Sequence, residues 1–113
     1  MRVLVADNDA DALELALTDL RLEGHEVHGA ADAATARALL SDLGPDVLVL
    51  DHRMPPGQTG LELAEDLVAA GVTTRIVIYS NYQSTALRQR AARIGVPFLA
   101  KGNLRTLRAA VRG

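Results

Sequence analysis

Four polar residues each stand directly after a short apolar run of the sequence. They are Asp7 after Val3–Ala6, Asp51 after Val47–Leu50, Ser80 after Ile76–Tyr79 and Lys101 after Pro97–Ala100. A carboxylate can attack phosphorus to give an aspartyl phosphate, provided that cations offset the repulsion between the anions. Clustered carboxylates with further oxygen ligands and water suit Mg²⁺. Together these residue types predict a receptor for a phosphoryl group, although each alone has an ordinary structural explanation as a cap, a turn residue or a solvated charge.

The elements that must position these residues follow from the hydrophobic pattern. Short apolar runs alternate with segments whose apolar residues repeat every three to four positions, which is typical of βαβ units and a parallel sheet. The predicted strands are Val3–Ala6, His25–His28, Val47–Leu50, Ile76–Tyr79 and Pro97–Ala100. Glycine or proline follows each of the first four helical segments, at Gly24, Gly44–Pro45, Gly71 and Gly95. The sequence therefore predicts an α/β fold of five strands and five helices.

In an open parallel sheet, ligands bind beyond the carboxyl ends of the strands, where the strand order reverses. If the first and third strands are neighbours, Asp7, Asn8 and Asp51 converge on one pocket, with Ser80 and Lys101 beside them.

Length and composition restrict the class of protein. The chain has 113 residues, 49% of them hydrophobic and 23% charged, which indicates one globular domain, residues 1–113, with no room for an effector domain. The absence of cysteine excludes disulfides, Cys-based zinc sites and thiol catalysis, and fits a reducing cytoplasm. No apolar stretch approaches the length of a membrane span, and no cleavable signal pattern is present. We expect a cytoplasmic protein.

Charge is distributed unequally along the chain. Residues 1–66 contain all 14 acidic residues against four arginines, a net charge of −10, whereas residues 67–113 contain eight basic residues and no acid, a net charge of +8. The two halves could simply pack against each other and form ordinary surface pairs. Alternatively, basic residues of the last two helices could form a docking face for an acidic output protein. These candidates are Arg88, Arg90, Arg93, Arg105, Arg108 and Arg112. We do not expect direct nucleic-acid binding, because few aromatic residues are available to stack on bases.

Two motifs carry a resemblance to a known family. Val3–Asp9 is similar to the first strand and acidic loop of the receiver domain of two-component response regulators, and Pro45–Pro55 resembles that family's phosphorylated strand and turn. Ile76–Ser80 and Gly95–Lys101 resemble its last two strands, so the likeness covers essentially the whole chain. The resemblance implies a flavodoxin-like (βα)5 fold with the strand order 2-1-3-4-5.

The resemblance also implies roles for individual residues. Asp51 would be the phosphoacceptor, and Ser80 and Lys101 would hold the phosphoryl group. Asp7, Asn8, Asp51 and the backbone carbonyl of Arg53 would bind Mg²⁺. Phe98 would be the switch aromatic, which fills the space vacated when Ser80 moves towards the phosphoryl group.

Three positions depart from the family pattern. Asn8 stands where a second carboxylate normally binds the metal, so we expect weak Mg²⁺ binding unless Asp9 compensates through water. Gly102 follows Lys101 where proline is usual, which predicts a more mobile loop. The turn Met54–Gly60 is one residue longer than the common form. The three histidines, His25, His28 and His52, are expected at the surface.

Three functional hypotheses remain. The leading one is a stand-alone receiver that takes a phosphoryl group from a histidine kinase or phosphotransfer protein and signals through the face formed by helix four, strand five and helix five. The second, motivated by Asn8 and Gly102, is an interaction module that does not depend on phosphorylation. The third is a haloacid-dehalogenase-type phosphatase with Asp7 as nucleophile, which is disfavoured because no acid follows Asp66. We therefore do not expect an enzyme. The opposite charges of the halves would permit a homodimer, but nothing in the sequence requires one.

Overall fold

The computed structural model describes the whole chain, residues 1–113, as five strands that alternate with five helices. The strands are β1 (Arg2–Ala6), β2 (Glu26–Ala30), β3 (Val47–Leu50), β4 (Arg75–Ser80) and β5 (Phe98–Ala100). The helices are α1 (Ala10–Leu22), α2 (Ala33–Leu43), α3 (Gly60–Ala69), α4 (Thr85–Arg93) and α5 (Leu104–Arg112). The predicted number and order of elements are confirmed, and the strand boundaries differ by no more than two residues.

The strands form one parallel sheet in the order β2-β1-β3-β4-β5, as predicted. The chain runs from β1 outwards to β2 and then returns to β3 on the other side of β1, so the strand order reverses between β1 and β3. This crevice is where open α/β sheets bind their ligands.

Both faces of the sheet are buried, because side chains alternate along each strand and helices cover both sides. Val3, Val5 and Val49 face α1 and α5, whereas Leu4 and Leu48 belong to the larger core under α2, α3 and α4. The two cores explain why these strands appear in the sequence as continuous apolar runs. None of the five helices combines the length and hydropathy needed to cross a membrane.

Each helix begins at a short polar side chain whose oxygen accepts a hydrogen bond from a backbone N–H of the first turn. These N-caps are Asp9, Asp32, Thr59, Ser84 and Asn103. Such caps satisfy N–H groups that have no partner within the helix. They fix where the helices start, and so fix the loops that lead into them from the carboxyl ends of the strands.

Candidate functional site

Strand register brings the predicted site residues together at the carboxyl edge of the sheet. Ala6 pairs with Leu50, so the next residues, Asp7 and Asp51, emerge side by side, and the Asp51 N–H donates to the Ala6 carbonyl oxygen over 2.9 Å. One strand further along, the Lys101 N–H donates to the carbonyl oxygen of Ser80 over 3.1 Å. The backbone ladder alone therefore gathers two carboxylates, a hydroxyl and an ammonium group.

Lys101 joins the two carboxylates. Its Nζ lies 2.5 Å from Oδ2 of Asp7 and 3.2 Å from Oδ2 of Asp51. All three side chains are at least nine-tenths buried, with 10%, 5% and 9% of their surface exposed. Because water screens this cluster poorly, the ammonium group is the main counter-charge to the two acids.

This environment changes the proton affinities of the cluster. Burial, followed by the neighbouring charge of Asp7, raises the pKa of Asp51 above its ordinary value, although Lys101 acts in the opposite direction. Burial alone would lower the pKa of Lys101, but its hydrogen bond to Asp7 and the charges of both acids outweigh that effect and raise it. Lys101 therefore remains a cation, and Asp51 is a more basic carboxylate than a solvated aspartate.

Ser80 is almost completely buried at the end of β4. Its Oγ accepts a hydrogen bond of 3.1 Å from the backbone N–H of Tyr82, so the hydroxyl is held by its own loop. A hydroxyl in this position can still donate its proton to an incoming acceptor.

The oxygen donors in this cleft fit Mg²⁺ in type. Asp7 and Asp51 offer carboxylates, Asn8 an amide oxygen and Arg53 a backbone carbonyl, and hard oxygen ligands with water in the remaining positions suit this ion. No three carboxylate, imidazole or thiolate side chains converge anywhere in the chain. The donor set is therefore less acidic than a site with a second carboxylate at position 8.

Asp9 does not replace the missing carboxylate in this structure. Its Oδ1 accepts hydrogen bonds from the N–H groups of Asp11 (3.0 Å) and Ala12 (3.2 Å), which is the ordinary work of an N-cap. Its own N–H donates to Oδ1 of Asp7 over 2.9 Å, which orients that carboxylate.

The loop between β3 and α3 depends on a glycine that the sequence analysis did not single out. The Gly60 N–H donates to the carbonyl oxygen of His52 over 2.8 Å, and a Cβ at Gly60 would lie 2.0 Å from the carbonyl oxygen of Asp51. Only glycine permits this approach. The sequence does mark this helix start, because Thr59 and Glu62, three residues apart, form a capping box at the beginning of α3. Gly60 is the first residue of that helix. The longer turn includes a cis peptide bond between Pro55 and Pro56.

His52 is buried, and the expectation that all three histidines lie at the surface is wrong for this residue. Its ring stacks on Tyr82 with 5.9 Å between ring centroids, and the guanidinium carbon of Arg53 lies 4.1 Å from the Tyr82 centroid. Burial, then the charges of Arg90 and Arg53, lower the pKa of His52 and keep it neutral. The two residues after Asp51 thus hold the loop after β4, a contact that strand and helix periodicity could not reveal.

The cleft above these residues has a volume of about 660 Å³. Asp51, Ser80 and Lys101 form its floor, and Asn8, Arg53 and Tyr82 line it nearer to solvent. This volume lies within the range of small-molecule sites and leaves room for a phosphoryl group with its donor.

Phe98 occupies the inward position in this structure. It is 8% exposed and belongs to the core under α4, together with Ile78 and Ala91. That this ring moves into the space vacated by Ser80 on phosphorylation stays a prediction.

Gly102 has a φ of +99°, a left-handed conformation that proline cannot adopt because its ring fixes φ near −65°. The loop after Lys101 therefore follows a path that the family's usual proline would prevent.

The six arginines of the predicted docking face divide into two groups. Four have partners within the chain: Arg90 with Glu65, Arg108 with Asp19, Arg112 with Glu23, and Arg88 with the backbone of Phe98 and the side chain of Gln83. Arg93 and Arg105 are exposed and make no ion pair or side-chain hydrogen bond. Three of the six, Arg90, Arg108 and Arg112, form ion pairs with acids of the N-terminal half of the chain, as expected if the two halves simply pack against each other.

Comparison with known proteins agrees with this geometry. The chain is 33% identical over 109 residues to the probable transcriptional regulatory protein NarL of Mycobacterium tuberculosis, covering 94% of this chain and 50% of that one. It is 28% identical to the regulatory protein AtoC of Escherichia coli (strain K12), over 83% of this chain and 20% of that one. It therefore spans half or less of the length of these two relatives.

The fold has close counterparts among solved structures. The receiver domain of the Francisella response regulator 1452 superposes with a TM-score of 0.90 at 27% identity, covering 98% of this chain and 93% of that one. The family model of the response regulator receiver domain matches residues 3–112. Since that match includes every strand and helix that builds the cleft, the chain belongs to the response regulator receiver domain family.

Proposed function

We propose that Asp51 accepts a phosphoryl group from the phosphohistidine of a histidine kinase or phosphotransfer protein in the cytoplasm. Receiver domains in general act with histidine kinases and output domains, as signalling modules rather than enzymes. The observation that carries the proposal is the position of Asp51. Its carboxylate lies at the floor of an open cleft, 3.2 Å from the ammonium group of Lys101 and beside a second acid, Asp7.

The transfer forms one bond and breaks another. A carboxylate oxygen of Asp51 bonds to phosphorus while the bond between phosphorus and the donor's imidazole nitrogen breaks, and the electron pair leaves with the imidazole. Lys101 would move from the carboxylates to a phosphoryl oxygen, and Ser80 would donate its hydroxyl proton to another.

Receiver domains generally bind Mg²⁺ in this acidic pocket. When bound, the ion neutralises charge on the phosphoryl oxygens. Asp7, Asp51, the Asn8 amide oxygen and the Arg53 carbonyl would hold it. Asn8 contributes no charge, so we propose that the ion binds weakly.

The proposed output surface is the face formed by α4, β5 and α5. Arg93 and Arg105 are the strongest candidates for contact with an acidic partner, because they are exposed and make no ion pair or side-chain hydrogen bond within the chain. Charge on such a surface chiefly accelerates association and selects partners.

The test is incubation with a small acyl phosphate and Mg²⁺, followed by intact-mass measurement. The wild type should gain one phosphoryl group, Asp51→Asn should gain none, and Asp7→Asn should be labelled slowly if at all. Labelling of Asp51→Asn that disappears in Asp7→Asn would contradict the proposal and favour the phosphatase-type nucleophile.

A second function, a receiver-like interaction module independent of phosphorylation, is favoured by Asn8, which offers the metal no carboxylate, and by the left-handed conformation of Gly102, where the family usually has proline. NMR spectra with Mg²⁺ and then beryllofluoride, which stands in for the phosphoryl group, separate the two. Amide shifts that spread from Asp51 to Ser80 and α4, and vanish in Asp51→Asn, would support the phosphoswitch. A silent wild type with a response restored by Asn8→Asp would support the independent module.

A further inference from the structure

A chain of side-chain hydrogen bonds connects the end of β4 to the switch aromatic on β5. The Gln83 side chain donates from Nε2 to the carbonyl oxygen of Ser80 over 3.0 Å, and its Oε1 accepts a hydrogen bond from Nη2 of Arg88. Nη1 of Arg88 donates to the carbonyl oxygen of Phe98 over 3.2 Å. We call Gln83 and Arg88 the loop bridge.

Within the loop bridge, Arg88 also covers the ring of Phe98. The guanidinium carbon of Arg88 lies 5.5 Å from the ring centroid, within the range of a cation–π contact. On the other side the ring belongs to the core under α4. Arg88 therefore contacts Phe98 twice, through the backbone carbonyl and through the ring.

The position of β5 makes this contact consequential. β5 is a three-residue edge strand that pairs only with β4, so it has one hydrogen-bonding neighbour in the sheet. The Arg88 side chain adds a second attachment at Phe98. An outward swing of the ring would have to displace the guanidinium group that covers it.

Arg88 differs in this respect from its neighbours in α4. Arg90 is directed to Glu65 on α3, and Arg93 has no partner. Among the arginines of this helix, only Arg88 contacts β5 through a hydrogen bond or a cation–π interaction.

We propose that Arg88, held by Gln83, is a positioning residue that keeps the Phe98 ring buried. This inference does not depend on Asp51 being phosphorylated.

Phe98 is the only phenylalanine in the chain, which makes a direct test available. Ring-labelled phenylalanine gives NMR signals from this side chain alone, and a soluble gadolinium chelate reports its exposure through relaxation enhancement. The experiment uses the full chain with no phosphoryl donor and no Mg²⁺. In the wild type we expect one set of ring signals with little enhancement.

Arg88→Ala should shift or broaden these signals and increase the relaxation enhancement several-fold, because the ring then samples outward positions. Gln83→Ala should act in the same direction to a smaller extent, and Arg88→Lys should restore part of the protection by returning a cation over the ring. Arg93→Ala is the matched control on the same helix and should leave the ring signals unchanged.

Wild-type protection in both Arg88→Ala and Gln83→Ala would overturn the inference, as would an equal effect of Arg93→Ala. If Arg88→Ala destabilises α4, Gln83→Ala still tests the inference, because Gln83 lies outside the helix. Phosphoryl uptake by these variants is measured separately by intact mass. A chain that takes up no phosphoryl group but releases its ring in Arg88→Ala would refute the proposed function and uphold this inference.

Discussion

The ion pairs of the cleft and those between α1 and α5 use the same kinds of groups in different surroundings. Lys101 contacts Asp7 and Asp51 where all three side chains are almost fully buried. Arg112 contacts Glu23 over 3.1 Å, yet 61% of the arginine side chain remains exposed. Water and salt screen the exposed pair, whereas the buried cluster interacts at a lower effective dielectric constant. Similar distances therefore represent very different free energies.

Charge in the cleft and charge on the helical surface also differ in how far they are neutralised within the chain. In the cleft, two acids share one cation, so one of the two carboxylates has no counter-charge of its own within the chain. On the helical surface, one acid meets one base and little charge remains for a partner. Among the six arginines of α4 and α5, Arg88, Arg93 and Arg105 have no acidic partner.

The largest effect is expected when Lys101 is replaced by methionine, which retains much of the volume and removes the charge. Breaking a buried ion pair costs about 3 kcal/mol or more of the free energy of unfolding, because the acids lose their partner. Mg²⁺ should restore part of the loss, and the variant should bind Mg²⁺ more tightly than the wild type since a competing cation is gone. Urea denaturation with and without Mg²⁺ measures both effects. If Lys101→Met lost no more of the free energy of unfolding than Arg112→Ala, burial would not strengthen the ion pairs of the cleft.

Asn8→Asp adds the missing carboxylate and tests how far the charge of the cleft controls Mg²⁺ affinity. We expect Mg²⁺ to bind about tenfold more tightly, or ~1.4 kcal/mol, because affinity follows the charge of the ligand set. A titration followed by amide NMR shifts near Asp7 and Asp51 measures this.

Asp9→Asn is the matched control for that titration, because asparagine caps a helix as well as aspartate does. Its Mg²⁺ affinity should equal that of the wild type. A loss of affinity in Asp9→Asn would instead show that Asp9 reaches the ion through water.

Asp51→Asn tests the pH dependence of the cleft in the absence of Mg²⁺. The pKa of Asp51 is raised in the folded chain, so the unfolded chain releases this proton first as the pH rises above the ordinary value of 3.8. Stability contributed by protonated Asp51 is therefore complete below that value and is lost as the pH rises through the raised pKa. Asparagine cannot ionise, so at neutral pH the variant should be more stable than the wild type, by about 1 kcal/mol.

Urea unfolding at several pH values measures this difference. The two proteins should converge in acid and separate towards neutral pH. A wild type that gains stability over Asp51→Asn as the pH rises would mean that Lys101 outweighs burial at this carboxylate.

Much of the fold could be predicted from the sequence because its signals are local. The strands facing both cores are continuous apolar runs, and glycine or proline follows the ends of the first four helices. β2 was placed one to two residues too early, since Glu26-Val27-His28 gives a weak pattern in an edge strand.

The candidate site divides in the same way. Asp7, Asp51, Ser80 and Lys101 could be located because parallel strands end at one edge of the sheet, so position in the chain translates directly into position in space. The burial of His52, the capping role that occupies Asp9 and the contact of Arg88 with Phe98 depend on which side chains meet across loops. No periodicity carries that information. For the same reason, the sequence could not predict which acid each arginine pairs with.

Arg112→Ala should have the smallest effect and completes the comparison with Lys101. The pair with Glu23 is exposed, so its removal should change the free energy of unfolding by about 0.5 kcal/mol or less, and less again at high salt. Arg108→Ala should cost somewhat more, because Asp19 is only 15% exposed and loses its partner in a drier position. Urea denaturation at low and high salt ranks the three basic residues. The two arginine pairs have nearly equal distances, 3.0 Å for Arg108–Asp19 and 3.1 Å for Arg112–Glu23, so equal losses in these two variants would show that the ranking does not follow burial. If it follows burial, the order is Lys101, Arg108, Arg112, and the charge that matters for stability lies at the cleft.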